Sequence, residues 1–170
     1  MIVRDATAKD APSCAAIYAP YVRDTVITFE SDPPDEAVMA GRIADAQRTH
    51  AWLVAERDGE VAGYAYAGPW KARPAYRWSC EVTVYVTAGA QRGGVGRALY
   101  EALFARLAER GYRTVVGGLT LPNDASLGLH RALGFEPVGT FPRIGFKLGR
   151  WRDVHYLVRH IGAGEPEEPR

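Results

Sequence analysis

A chain of 170 residues is long enough for one domain with its own core, without disulfide or metal staples. Its 21 basic and 20 acidic residues nearly cancel, to a formal charge of +1, and no Lys/Arg block interrupts the sequence. That balance argues against a nucleic-acid or membrane-surface partner and towards a small one. No run approaches the roughly 20 apolar residues that a membrane span needs, and Met1-Ile2-Val3-Arg4-Asp5 reads as a strand entering the fold, so a cytoplasmic protein is expected. Cys14 in a helical pattern and Cys80 in a strand pattern have no metal-ligand spacing and are expected as buried, reduced thiols; no metal is expected.

In chain order, Thr7-Ala8-Lys9-Asp10 has the form of a capping box with an aspartate in the last place. Ile17, Tyr18, Tyr21 and Val22 follow at helical spacing, which predicts a helix over about 8–23. Pro33-Pro34 breaks the chain, and Val38, Met39, Ile43 and Ala46 mark the inward side of a second helix from Asp35 to His50. Trp52 to Glu56 and Val61 to Ala67 flank the hairpin signal Asp58-Gly59 and are expected to pair as antiparallel strands. A strand from Trp78 to Val86 leads into a glycine-rich turn and a helix whose apolar stripe, Val95, Leu99, Ala102, Leu103 and Leu107, stops at Gly111. A strand over Arg113 to Leu119, a short helix over Asn123 to Leu133 and strands near Pro137 to Lys147 and Asp153 to Arg159 complete a domain expected over 1–161. The tail 162–170, rich in Gly, Pro and Glu, is expected to be disordered. This order of elements predicts an α+β arrangement, a mixed sheet with helices on both faces.

The turn Gln91-Arg92-Gly93-Gly94-Val95-Gly96 joins the apolar run Val82 to Val86 to a helical pattern opening at Arg97. Free backbone N–H groups and the positive end of a helix dipole converge there, which suits a pyrophosphate. A Walker loop would carry Lys and then Ser or Thr after its last glycine, where Arg97-Ala98 stand; a dinucleotide fingerprint would carry a small residue where Leu99 stands. ATP and NAD are both disfavoured.

What is left, Gln91, Gly94 and Gly96 in the pattern Q/R-x-x-G-x-G/A, resembles the acetyl-CoA pyrophosphate turn of the GNAT N-acetyltransferases. The stretch Asn123 to Phe135 resembles that family's other signature, N-x-x-S, then an aromatic or His, then G-F. Asn123 is a natural N-cap, Ser126 and His130 share a helix face, and Gly134 ends the helix. Gly68 to Arg73, Tyr85-Val86, Leu121 to Asp124 and Gly145 to Val154 are similar to the corresponding stretches of the phosphinothricin N-acetyltransferases, and the resemblance runs from about Ile2 to His160. The related methionine sulfoximine and methionine sulfone acetyltransferases differ around Lys71-Ala72-Arg73, so this loop favours the phosphinothricin branch. The resemblance implies the GNAT acyl-CoA N-acyltransferase fold, with a mixed, mostly antiparallel sheet. It also implies acetyl transfer from acetyl-CoA to the α-amino group of a small amino acid, in a homodimer with no metal. A methionine sulfoximine or sulfone acceptor and a catalytically silent acyl-CoA-binding domain are the alternatives. Ala90 and Gly93 depart from relatives that often carry a polar or basic residue there, so the turn is expected to lean on its backbone donors.

An amine must lose a proton before it attacks a thioester, and the leaving thiolate must be stabilised or protonated. Glu81, Thr83 and Tyr85 share one face of their strand by alternation, and a carboxylate within an apolar strand is expected to face a wet cleft. The resemblance makes Glu81 the base. It places His130 near the thioester sulfur, where an imidazole with an ordinary pKa of about 6.5 could serve as base or acid. An anionic acceptor needs a counter-charge, and on the family loop Lys71 and Arg73, with Tyr76 and Thr83 nearby, are the candidates. Phe29 and Glu30 are candidates for a lid over the amine. Val84, Tyr85 and Val86 are expected to hold the pantetheine arm and Arg92, Gly93, Gly94, Val95, Gly96 and Arg97 the pyrophosphate, with Asn123 and Ser126 completing the cofactor site.

Overall fold

The structure, a computed structural model, describes residues 1–166 and 169. Its strands are β1 (Ile2–Asp5), β2 (Trp52–Arg57), β3 (Glu60–Pro69), β4 (Ser79–Val86), β5 (Thr114–Thr120), β6 (Glu136–Lys147) and β7 (Arg150–His160). Its helices are α1 (Ala11–Asp24), α2 (Glu36–Thr49), α3 (Val95–Glu109) and α4 (Asp124–Ala132). The order is the expected one, and local chemistry moves the boundaries.

Residues 8–10 form a 3-10 turn rather than the first turn of α1. Asp10 accepts hydrogen bonds from the Thr7 backbone N–H and hydroxyl at 2.7 and 3.0 Å and from both terminal nitrogens of Arg4 at 2.9 and 2.8 Å, which tightens the chain before the helix. Asp35 caps α2 by accepting from the Val38 N–H at 2.8 Å. At the β2–β3 turn Asp58 and Gly59 both take left-handed φ, +54° and +83°, as a two-residue hairpin with the right-handed sheet twist demands. Helix α3 begins at Val95, two residues before the expected Arg97, with Gly94 as its left-handed N-cap. The disorder expected for 162–170 falls partly on 167, 168 and 170, which lie outside the described residues; nearer the domain, Arg113 donates to the Glu165 carbonyl at 3.5 Å.

The strands form a single sheet in the order β1-β2-β3-β4-β5-β7-β6. Every neighbouring pair is antiparallel except β4 and β5, which run parallel and pair only from Ser79↔Thr114 to Glu81↔Val116. Beyond Glu81 the β5-facing edge of β4 has no strand beside it, so the sheet opens in a gap at its centre.

Two cores lie on opposite faces. Against α3 the core is aliphatic: Val95, Leu99, Leu103 and Leu107 pack on Leu53, Val82, Val115 and Leu157. Each such side chain, fully buried, stabilises the fold by about 1.5–3 kcal/mol. Against α1 and α2 it is aromatic: Trp52, Tyr64, Tyr85 and Tyr18 stack under Ile17, Met39 and Ile43, with Trp52 and Tyr64 rings 5.1 Å apart. Cys14 and Cys80 are buried in these cores, and burial pushes both thiols up to about 12, away from reactivity. Among the described residues no group of three His, Cys, Asp or Glu could hold a metal, and no helix is long and apolar enough to cross a membrane.

Candidate active site

The alternation of β4 sends Cys80 and Val82 towards α3 and Glu81, Thr83 and Tyr85 towards α1 and α2. Glu81 is the last residue of β4 that pairs with β5, so its carboxyl stands where the two strands part. It is half-buried, and burial raises its pKa above the ordinary carboxylate value while the nearby Lys71 ammonium pulls it back. Two glycines leave room in front of it. Gly68 is its partner on β3, and a Cβ placed on Gly118 of β5 would stand 3.3 Å from Glu81 Oε1 and 3.0 Å from Tyr156 Cε1. Tyr156 is Gly118's partner on β7, and its ring is held edge-on by Trp70 and Phe141, with centroids 5.6 Å away in both cases. The Lys71 ammonium lies 4.8 Å above the Trp70 ring. Thr83 is the partner of Tyr66 on β3 and its hydroxyl is hydrogen-bonded to that phenol.

The other expected acceptor residues divide. Lys71 is electrostatically coupled to Glu81; Arg73 and Tyr76 lie further along the same exposed loop, where Arg73 precedes a 3-10 turn over Pro74–Tyr76. Phe29 packs its ring against Gly145 of β6, where a Cβ would overlap it at 2.2 Å. Glu30, a candidate for the lid over the amine, is already engaged: Arg42 donates to both its oxygens at 2.7 and 2.9 Å, and the Tyr18 hydroxyl donates at 2.9 Å. Lys147 donates to the carbonyls of Val22 and Thr28, both at 2.7 Å, which fastens the α1–α2 connection to the β6–β7 hairpin. Glu30 therefore braces this wall of the cleft instead of offering a free carboxylate.

At the glycine turn, Arg92 and Gly94 have φ of +62° and +79°, and no side chain caps α3. The first helical bond runs from the Ala98 N–H to the Gly94 carbonyl, so the N–H groups of Val95, Gly96 and Arg97 have no partner within the helix. Glycine is also needed for packing. A Cβ on Gly63 would come within 2.8 Å of the Tyr85 carbonyl and 3.2 Å of Val95, and one on Gly96 within 3.2 Å of Leu129 on α4. Of the expected pantetheine contacts, the Val84 and Val86 side chains lie beside Gly96, while the Val86 carbonyl accepts a hydrogen bond from the Tyr21 hydroxyl. Tyr85 points into the aromatic core, so only its backbone could serve.

Asn123 caps α4 by accepting from the Ser126 N–H at 3.2 Å. His130 is 1% exposed. Its Nδ1 lies 2.8 Å from the Ser126 carbonyl, which can only accept, so Nδ1 carries the proton and Nε2 faces the Tyr100 hydroxyl at 3.4 Å. Burial lowers its pKa, and the ring packs against Phe135 with centroids 4.8 Å apart. A Cβ on Gly117 would stand 2.8 Å from Nε2, whereas one on Gly118 would point at Glu81. Adjacent strand residues face opposite ways, so the structure sets His130 and Glu81 on opposite sides of β5 and does not bring them together.

Tyr156, Gly118, Trp70 and Tyr66 were not singled out as site residues from the sequence. Gly117-Gly118 inside a strand was a usable signal, because glycine there marks a close approach. For Tyr156 no local signal exists, since its position depends on strand pairing.

Residues 3–156 match the model of the acetyltransferase (GNAT) domain. Phosphinothricin N-acetyltransferase of Streptomyces viridochromogenes is 40% identical over 167 residues, 98% of this chain and 91% of that protein. The L-methionine sulfoximine/L-methionine sulfone acetyltransferase of Pseudomonas paraeruginosa is 38% identical over 94% of both chains. The crystal structure of a GNAT superfamily phosphinothricin acetyltransferase from Sinorhizobium meliloti in complex with acetyl-CoA superposes with a TM-score of 0.93 at 38% identity, covering 98% of this chain and 93% of that one. The match over residues 3–156 and the 40% identity over nearly the whole length show that the chain belongs to the GNAT acetyltransferase family.

Proposed function

We propose that this protein transfers the acetyl group of acetyl-CoA to the α-amino group of a small amino acid of the phosphinothricin or methionine sulfoximine kind. The observation that carries the reading is the Glu81 carboxyl, half-buried with a raised pKa, at the point where β4 and β5 separate. The family resemblance and the names of the relatives supply the acyl donor and the class of acceptor. The unpartnered N–H groups at the start of α3 suit the pyrophosphate, and the open edge of β4 suits the pantetheine arm.

The acceptor arrives as an ammonium. Glu81 takes one proton, directly or through a water, and the freed lone pair attacks the thioester carbonyl. The N–C bond forms, the C–S bond breaks, the nitrogen gives up a second proton, and CoA leaves as the thiol after gaining one. A carboxyl whose pKa is raised by burial is a better base for this than an exposed one, provided it stays ionised, and Lys71 favours the ionised form. Lys71 and Arg73 offer positive charge to the acceptor's anionic groups, while Gly118, Tyr156 and Trp70 shape the space for its body. His130, neutral and enclosed with Nδ1 held by Ser126, positions α4 against β5.

The protein acts in the cytoplasm as a homodimer. Strand β6 is an edge strand, and Val138, Phe141, Ile144, Phe146, Leu148 and Trp151 of its hairpin each expose more than half their surface. An apolar edge of that length invites pairing, and a second copy would cover it.

Release of free CoA thiol, followed with acetyl-CoA across phosphinothricin, methionine sulfoximine, methionine sulfone, common amino acids and polyamines, tests the reading. Turnover with the first three is expected. Turnover confined to polyamines would overturn the acceptor assignment, and none with any amine would favour the silent acyl-CoA-binding domain.

A further inference from the structure

Gly93 differs from the other glycines of its turn. Gly94 needs a left-handed φ and Gly96 lies against Leu129, but Gly93 has no positive φ and lies near no core side chain. What a Cβ there would meet is the Ala90 carbonyl at 3.2 Å and, nearer still, Nη1 of Arg57 at 3.0 Å. Arg57 is the last residue of β2, at the tip of the hairpin turned by Asp58 and Gly59, and is remote in sequence from the turn it touches. Its ion pair with Asp58 is long, 3.9 Å, and that carboxylate side chain is 95% exposed, so water and salt screen it. Arg97, by comparison, has Glu101 at 3.4 Å one helical turn along. The guanidinium of Arg57 thus lies against the bare face of a turn that already carries Arg92 and Arg97 and whose helix end presents unpartnered N–H groups. A weakly held guanidinium beside such a helix end fits a phosphate oxygen, since its planar donors match oxyanions and its charge adds to the helix dipole.

We propose that Arg57 is a phosphate-binding residue for acetyl-CoA, reaching from the β2–β3 hairpin into the space that Gly93 leaves bare. It supplies from another strand a cation that position 93 itself lacks, so the turn does not rely on its backbone donors alone. This rests on the use of acetyl-CoA proposed above.

The test compares wild type, Arg57→Ala and Arg57→Lys. Titration calorimetry gives acetyl-CoA affinity at low and high salt, and steady-state assays give KM for acetyl-CoA and for acetyl-pantetheine, which has the same thioester but no pyrophosphate or nucleotide. Loss of one charge-assisted hydrogen bond is expected to weaken acetyl-CoA binding by about tenfold in Arg57→Ala. The weakening should be larger at low salt, partly recovered in Arg57→Lys, and absent from the acetyl-pantetheine KM. Unchanged acetyl-CoA affinity in a folded Arg57→Ala protein overturns the proposal. So does an equal rise in both KM values, because Arg57 would then only prop the turn. Failure of the wild type itself to bind acetyl-CoA would instead strike the proposed function.

Discussion

The glycine turn over 91–97 is one contiguous stretch whose donors follow from the geometry of a helix end, whereas the cleft around Glu81 is assembled from β3, β4, β5, β7 and the loop after β3. The first recognises something common to many ligands and can be written in a short motif. The second, the proposed acceptor site, is built from residues that meet only after the sheet has formed. Substitutions in the two regions should therefore separate donor binding from acceptor choice.

The largest expected effect falls on Glu81. Glu81→Gln keeps the shape and removes the proposed base, so kcat should drop by about 10²–10⁴-fold with donor binding retained. The same change has a stability signature. Burial raises the pKa of Glu81 in the fold above its unfolded value, so the native state holds the proton more tightly. The contribution of Glu81 to stability is then fully present at acidic pH and is lost as pH rises through the interval between the ordinary and the raised value, opposite in sign to the contributions of Asp10 and Glu30, whose pKa values are lowered. Glu81→Gln should melt above wild type at neutral pH and lose that advantage in acid, as thermal melts at the two conditions would read. Near-normal turnover in the variant would reassign the base.

Gly96→Val comes next. Its side chain must displace Leu129 of α4, 3.2 Å from the first added carbon, and overpacking of this kind costs about 1–3 kcal/mol. Calorimetry should show weakened acetyl-CoA binding in a protein that still folds. Gly118→Val tests the other region: it crowds Glu81 Oε1 and Tyr156, so acceptor KM should rise at least tenfold while acetyl-CoA affinity holds, with about 1.4 kcal/mol standing behind each tenfold. Equal damage to both substrates would show that the regions are not separable.

His130→Gln distinguishes support from chemistry. Loss of the Nδ1–H bond to Ser126 and of ring packing should cost about 1–3 kcal/mol of stability, while the acid limb of the pH–rate profile, assigned to the proposed base Glu81, stays in place. Disappearance of that limb would return His130 to a catalytic role. The smallest effect is expected for Arg73→Ala, because Arg73 is exposed and screened; a change near 1 kcal/mol or less would raise acceptor KM only a few-fold.

The order of elements was legible because apolar spacing, Asp58-Gly59, Asp35 and Asn123 act locally. The first turn of α1 was misplaced because Arg4, from a different element, draws Asp10 into a tight turn. That the Glu30 carboxylate is engaged was not legible, since its partners Arg42 and Tyr18 come from two helices that the sequence does not align.

By itself the sequence determined the family, the helix-end donors at the glycine turn and the carboxylate on β4, all set by residues close together along the chain. Only the tertiary structure decided that Glu81 and His130 fall on opposite faces of β5, that Gly118 and Tyr156 bound the space before the carboxyl, and that Arg57 reaches Gly93. Those relations depend on strand register and on which element crosses beside which, and pairings between distant segments carry no trace in the local pattern of either partner.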